Sequence, residues 1–242
     1  MADTAFEGRV ALVTGASGGI GRRIAEGLAA HGARVALHYA SNPDPARELA
    51  TALPRAAAFG ADLGDPNAPD RLVSEVQAAL GPVDILVANH GAGRVAQLDE
   101  VDAAAFNAML AVNLRAPFLL ARRVLPGMRD RGFGRVLFMS SVAGLTGGII
   151  GPHYASSKAG LHGLTHYLAS RVARDGVTVN ALAPALIEDT GMLPGDPGDL
   201  AARIPVGRVG RPDEVADLAL AVLRNGYMTS QVVGLDGGLY PR

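Results

Sequence analysis

The stretch VALVTGASGGIG, residues 10–21, decides the fold. Its first four residues, Val10 to Val13, are all apolar. A short uninterrupted apolar run suits a strand buried on both faces, as in a parallel sheet. A glycine-rich turn follows, and a helix is predicted over Gly19–Ala30. Glycines at 15, 19 and 21 permit a tight turn and close approach of backbone to a pyrophosphate. The helix that follows offers free N–H groups and a positive dipole end to that anion. A glycine-rich stretch alone signals little more than a turn; between a first strand and a helix it points to a dinucleotide. Gly15, Ser17, Gly18, Gly19, Ile20 and Gly21 are therefore candidate cofactor contacts.

Working outward, short apolar runs alternate with helical patterns. Strands are predicted over Arg9–Thr14, Arg34–Tyr39, Ala56–Gly60, Val83–Ala88, Gly134–Ser140, Val177–Leu182 and Gln231–Leu235. Helices are predicted over Gly19–Ala30, Pro45–Leu53, Pro66–Leu80, Asp102–Arg131, Tyr154–Asp175 and Pro212–Arg224. This alternation implies an α/β fold: a Rossmann-type, doubly wound parallel sheet of about seven strands with helices on both faces. No repeat or linker divides the chain, so residues 1–242 read as a single dinucleotide-binding and catalytic domain. The irregular stretch 186–205, rich in proline and glycine, reads as a substrate lid or as an ordinary surface excursion.

Composition narrows the function. The 242 residues are 49% hydrophobic and 19% charged, which suits one soluble α/β domain. A net charge of −1 shows no broad basic surface for nucleic acid or membrane. The absence of cysteine excludes disulfides and thiol catalysis and fits a cytoplasmic location. The first residues lack a basic start followed by an apolar stretch, so no signal peptide is read. The uncharged run from Val136 to Ser157 is long enough for a membrane span. Its glycines, proline and hydroxyl residues make it a strand, a loop and a helix start instead. No cluster of metal ligands is visible; His153, His162 and His166 read as pocket or helix residues.

Of 22 basic residues one is lysine, Lys158, four residues after Tyr154. On a helix these positions share a face. An ammonium beside a phenol is expected to pull the phenol below its usual value of about 10. Tyr154 would then exchange protons near neutral pH. The alternative is one surface lysine surviving in an arginine-rich chain.

With these residues assembled, the chain resembles the short-chain dehydrogenase/reductase family along essentially its whole length. Thr14 to Gly21 match that family's T-G-x-x-x-G-x-G. Tyr154 and Lys158 match its Y-x-x-x-K, Ser141 its serine thirteen residues earlier, and Asn113 its asparagine on the long helix. The resemblance implies a catalytic tetrad of Asn113, Ser141, Tyr154 and Lys158. In it Ser141 bonds the substrate oxygen and Tyr154 delivers the proton. Lys158 lowers the tyrosine pKa and bonds the nicotinamide ribose, and Asn113 holds a water leading to solvent.

Cofactor contacts follow from the same likeness. Tyr39, Ala40 and Ser41 stand where an acid usually binds the ribose 2′-hydroxyl of NAD. Without that carboxylate NADP(H) is favoured, with Ser41, Asn42 and Arg22 or His38 near the 2′-phosphate. Gly18, where NADP-preferring relatives often have a base, keeps NAD(H) possible. Asp62 and Leu63 match the adenine contact, although this is also good turn sequence. Asn89, His90 and Gly91 stand in place of the family's N-N-A-G, with His90 at the alanine position reading as a space-filling residue. Pro184 and Ala185 replace the usual Pro-Gly, which requires a negative φ at Ala185. Ile187 and Thr190 match the carboxamide-binding segment.

The predicted substrate pocket is apolar: Leu145, Thr146, Gly147, Ile149, Ile150, His153, Leu186, Met192 and Leu193. It holds no arginine or lysine, which suits an acyl chain, steroid or simple ketone. The 3-oxoacyl carrier-protein reductase branch is the nearest in look. That implies an acyl-thioester substrate and an acidic acyl carrier protein as partner, with Arg129, Arg131, Arg135, Arg171 and Arg174 as basic docking residues or as a solvated helix face. A dehydrogenase for another alcohol, sugar or cyclic ketone and a non-catalytic dinucleotide sensor are the other readings. The resemblance also implies a homotetramer built on the two long helices and the C-terminal segment.

Overall fold

A computed structural model describes residues 4–190 and 197–240. The chain alternates β1 (Val10–Val13), α1 (Gly19–Ala30), β2 (Arg34–Tyr39), α2 (Asp44–Ala52), β3 (Ala56–Gly60), α3 (Ala68–Leu80) and β4 (Val83–Ala88). There follow α4 (Ala103–Leu110), α5 (Ala116–Asp130), β5 (Gly134–Met139), α6 (Ala143–Thr146), α7 (Pro152–Val172), β6 (Val177–Pro184), α8 (Pro197–Ala201), α9 (Pro212–Arg224) and β7 (Val232–Leu235). The seven strands are parallel, in the order β3-β2-β1-β4-β5-β6-β7. Strand order reverses between β1 and β4, and in such sheets ligands bind at that switch, beyond the carboxyl ends of the strands.

Residue alternation explains the two-sided cover. Val10 and Leu12 of β1 pack with Leu72, Val76, Leu120, Val124 and Leu161 of α3, α5 and α7. Ala11 and Val13 face the other way, onto Ile24, Leu28, Leu49, Val215 and Ala219 of α1, α2 and α9. β1 therefore reads as apolar throughout, because both its faces are buried.

β6 extends two residues past its predicted end because Ala183 and Pro184 pair with Gly234 and Leu235 of β7. α7 starts at Pro152, two residues early, as proline suits a first helical turn. The predicted helix over Asp102–Arg131 is interrupted. A five-residue π-helix, Ala111–Arg115, joins α4 to α5, and the Ala116 amide bonds back to the Ala111 carbonyl. Proline at 117 supplies no amide to the turn before it, which favours this widening. The segment Ala103–Asp130 is long and apolar enough to cross a membrane by length and composition. Here its Leu120, Val124, Leu125 and Met128 are buried in the core. Val136 to Ser157 is strand, loop and helix start, as expected.

Of the predicted lid, residues 191–196 lie outside the described residues, Met192 and Leu193 among them. The described parts are anchored: Ile187 bridges Gly210, and Leu200, Ile204 and Val209 form a small buried cluster with Leu186 against it.

Candidate active site

A cleft of about 460 Å³ opens at the carboxyl ends of the strands, at the switch point. Its floor is the turn after β1. Gly15 and Gly19 there have φ of 65° and 52°, backbone that glycine adopts freely. At Gly21 a Cβ would lie 2.1 Å from the Gly15 carbonyl oxygen and 2.6 Å from Asn89 Nδ2, so α1 can sit this close only without a side chain. Asn89 locks the turn, donating from Nδ2 to the carbonyls of Thr14 (3.1 Å) and Gly15 (3.2 Å).

Gly15, Ser17, Gly18, Gly19, Ile20, Asn89, His90 and Gly91 line the cleft, with Ser141, Tyr154, Lys158, Pro184, Ala185, Ile187 and Thr190 opposite. Ala185 keeps a negative φ; positive φ among described non-glycine residues is confined to Arg55, Asp189 and Ser230. Met139, Ser140 and Asp189 also line the cleft; of these the sequence had pointed only to Ser140, as the less favoured neighbour of Ser141. Asp189 carries a signal only the structure gives: it has φ of 54°, and its carbonyl sits over Gly19. Gly21 is packed beneath the turn. Tyr39, Ala40, Ser41, Asp62 and Leu63 lie apart from the lining, Tyr39 at the end of β2 and the others just beyond the ends of β2 and β3. Tyr39 lays its ring on Gly60, and Asp62 accepts from the Gly64 amide at 2.8 Å, the turn reading of that sequence.

The two serines after β5 do different work. Ser140 Oγ lies 3.0 Å from the Lys158 carbonyl and 2.8 Å from His162 Nε2, turned into the packing of α7. Ser141 lines the cleft beside Tyr154, where its hydroxyl favours the ionised phenol. Lys158 is buried; its ammonium donates to the Met139 carbonyl at 2.8 Å and lies 5.7 Å from the Tyr154 ring centroid. Burial pulls Lys158 down to about 8.

The phenol departs from expectation. Burial raises Tyr154 above its ordinary value, and the Ser141 hydroxyl only partly opposes this. The i,i+4 spacing brings the two side chains onto one face, but it also carries both out of water, and desolvation is the larger effect.

Asn113 is fully buried in the π-helix and does not line the cleft. Its amide accepts from the Ala92 N–H at 2.8 Å and donates to the Ala92 carbonyl (2.9 Å) and Ser157 Oγ (3.1 Å). Its own carbonyl has no α-helical donor, since the residue four further on is Pro117.

Two other expectations change. His38 is buried, with Nδ1 accepting from the Gly15 amide (3.2 Å) and Nε2 donating to the Ala61 carbonyl (2.9 Å), so it is not free for a phosphate. Arg22 pairs with Glu26 at 3.0 Å. His90 is not a space filler: both its ring nitrogens are bonded.

Next to Tyr154 lies a second cavity of about 140 Å³. Thr146, Ile149, Ile150 and Leu186 line it as predicted, joined by Leu200 and Leu239. Arg203 also lines it, contrary to the expectation of a pocket without a base. Arg129, Arg131 and Arg135 sit where α5 runs into the start of β5, at the end of the sheet away from this chain's cleft. Arg129 pairs with Asp175 and Arg131 with Asp84, while Arg135 bonds the Leu223 carbonyl. Arg171, in the last turn of α7, and Arg174, just past it, share that remote location.

Residues 9–197 match the family model for short chain dehydrogenases. An acetoacetyl-CoA reductase of Shinella zoogloeoides is 38% identical over 239 residues, covering 96% of this chain and 98% of that one. The 3-oxoacyl-(acyl-carrier-protein) reductase FabG of Escherichia coli is 37% identical over 242 residues, covering 97% and 98%. A solved short-chain dehydrogenase/reductase from Serratia marcescens superposes with a TM-score of 0.90 at 31% identity, covering 97% and 99%.

Proposed function

The chain belongs to the short-chain dehydrogenase family, and on that premise we propose that it reduces 3-oxoacyl thioesters to 3-hydroxyacyl thioesters with NADPH. The observation that carries this reading is the placement of Ser141, Tyr154 and Lys158 on one wall of a cleft whose floor is the glycine turn. The turn fits a dinucleotide: exposed backbone at a helix start, with open space where a Gly18 side chain would stand. Gly15, Ser17, Gly18, Gly19 and Ile20 would hold the pyrophosphate, and Asn89, Gly91, Ala185, Ile187 and Thr190 the nicotinamide half. The cofactor supplies a hydride to the carbonyl carbon.

The chain's own groups handle the oxygen. Ser141 donates a hydrogen bond to it, and the Tyr154 phenol gives it a proton as negative charge develops. A phenol raised by burial is fully protonated at neutral pH, as this direction requires. Lys158, near its own midpoint at pH 8, restores the proton. The Asn113 carbonyl, which lacks an α-helical donor, would lead the relay outward.

Two features support the choice of substrate and cofactor. The second cavity is mostly apolar, as a short acyl chain requires, and the two named relatives above act on such thioesters. No carboxylate stands among Tyr39, Ala40 and Ser41 to repel a 2′-phosphate. The exposed rings of Phe118 and Tyr167, beside a groove lined by Leu110, Leu114 and Leu164, support a homotetramer built on α5 and α7. A cytoplasmic enzyme of one domain follows from the same reading.

The test compares NADPH oxidation with an acetoacetyl thioester against a panel of neutral ketones, sugars and cyclic ketones. A kcat/KM for the thioester at least a hundredfold above the rest is expected. A better substrate elsewhere in the panel would replace this assignment with that of another carbonyl.

A further inference from the structure

In the widened helix, the Val112 carbonyl has lost its usual partners. An α-helix would give it the amide of residue 116, and a π-turn that of residue 117. The Ala116 amide bonds Ala111 instead, and residue 117 is proline. A carbonyl drawn even partly out of water is costly to leave without a donor. His90 Nε2 lies 3.0 Å from it and supplies that donor.

The carbonyl can only accept, so Nε2 carries the proton and Nδ1 is the acceptor. Thr14 Oγ1 lies 2.7 Å from Nδ1 and donates to it; its contact with the Val87 carbonyl is longer, at 3.3 Å. Thr14 Oγ1 in turn accepts the backbone amides of Asn89 (3.0 Å) and His90 (3.2 Å). One imidazole therefore ties the residue that starts the glycine turn to the helix widening that carries Asn113.

We propose that His90 is a positioning residue for the proton relay, a neutral bridge that holds the Ala111–Arg115 widening against Thr14 and so fixes the Asn113 carbonyl. This rests on the oxidoreductase reading of the cleft and adds to it a residue at a position where the family pattern has alanine. The titratable groups facing His90 are His38, with ring centroids 6.3 Å apart, and Lys158. Burial and both of these neighbours hold His90 down to about 3, so the bridge keeps its single proton throughout the working pH range.

The experiment uses the intact enzyme, NADPH and whichever of an acetoacetyl thioester or a small diketone the unsubstituted protein reduces. A wrong substrate assignment then shows in the unsubstituted enzyme, and a wrong bridge only in the variants. His90→Ala should lower kcat at least tenfold with KM within threefold. Water entering beside Lys158 should move the alkaline limb of the kcat profile upward. His90→Gln, which keeps one donor and one acceptor, should restore kcat to within threefold. An alanine variant with unchanged kcat and pH profile, or a glutamine variant as poor as alanine, would overturn the proposal. Ring ¹⁵N spectra of the unsubstituted protein give a check that needs no variant to fold: His90 should hold its proton on Nε2 and remain neutral at pH 5. A proton on Nδ1, or titration near 6.5, would also overturn it.

Discussion

Lys158→Met should make the protein more stable at neutral pH and less stable at high pH. Lys158 is buried, and its pKa falls from 10.5 to about 8. That difference corresponds to about 3 kcal/mol. Below pH 8 both folded and unfolded chains carry the charge, and the folded state bears the whole desolvation cost. Between pH 8 and 10.5 the unfolded chain binds more protons, so stability rises with pH. Above 10.5 both forms are neutral and the cost is gone. Methionine has similar length and no charge, but it leaves the Met139 carbonyl without its 2.8 Å donor, at about 1–2 kcal/mol. The variant should therefore gain about 1–2 kcal/mol at pH 7 and lose a similar amount at pH 10.5. Urea unfolding of both proteins at fixed protein concentration across this range measures the difference. A difference that is flat, or that grows with pH, would refute a buried lysine titrating near 8.

Four substitutions probe the rest of the site. Gly21→Ala places a Cβ 2.1 Å from the Gly15 carbonyl oxygen, so it should destabilise by about 2–4 kcal/mol in thermal unfolding and weaken NADPH binding at least tenfold. Ser141→Ala should lower kcat by roughly a hundredfold or more by removing a donor to the developing charge. Ser140→Ala, whose hydroxyl bonds Lys158 and His162, should mainly lower the melting temperature. Arg203→Gln should raise KM about tenfold for a thioester carrying a phosphopantetheine arm, from loss of a charge-assisted hydrogen bond, with kcat within twofold. An equal effect on a phosphate-free thioester would count against that role.

How much was legible in the sequence depended on the range of the interaction. β2, β3 and β4 were read to the residue, because apolar runs between turn residues are local signals. The extra length of β6 was not, since it comes from pairing with β7 some fifty residues later. Spacing put Tyr154 and Lys158 on one face but could not report how deeply that face is buried, and burial reversed the expected shift of the phenol. The helix widening did leave a signal, proline four residues after Asn113. The bridge from His90 did not, because its partner Val112 is 22 residues away on another element. Arg203 was invisible for the same reason: only the packing of the segment around α8 brings it to the pocket.

The most direct test of the central claim is the initial rate of NADPH oxidation with an acetoacetyl thioester, measured beside a Tyr154→Phe variant that binds NADPH normally. The account predicts rapid turnover that falls at least a thousandfold in the variant. A variant that retains the rate would contradict the role of Tyr154 as proton donor and, with it, the assignment of this cleft.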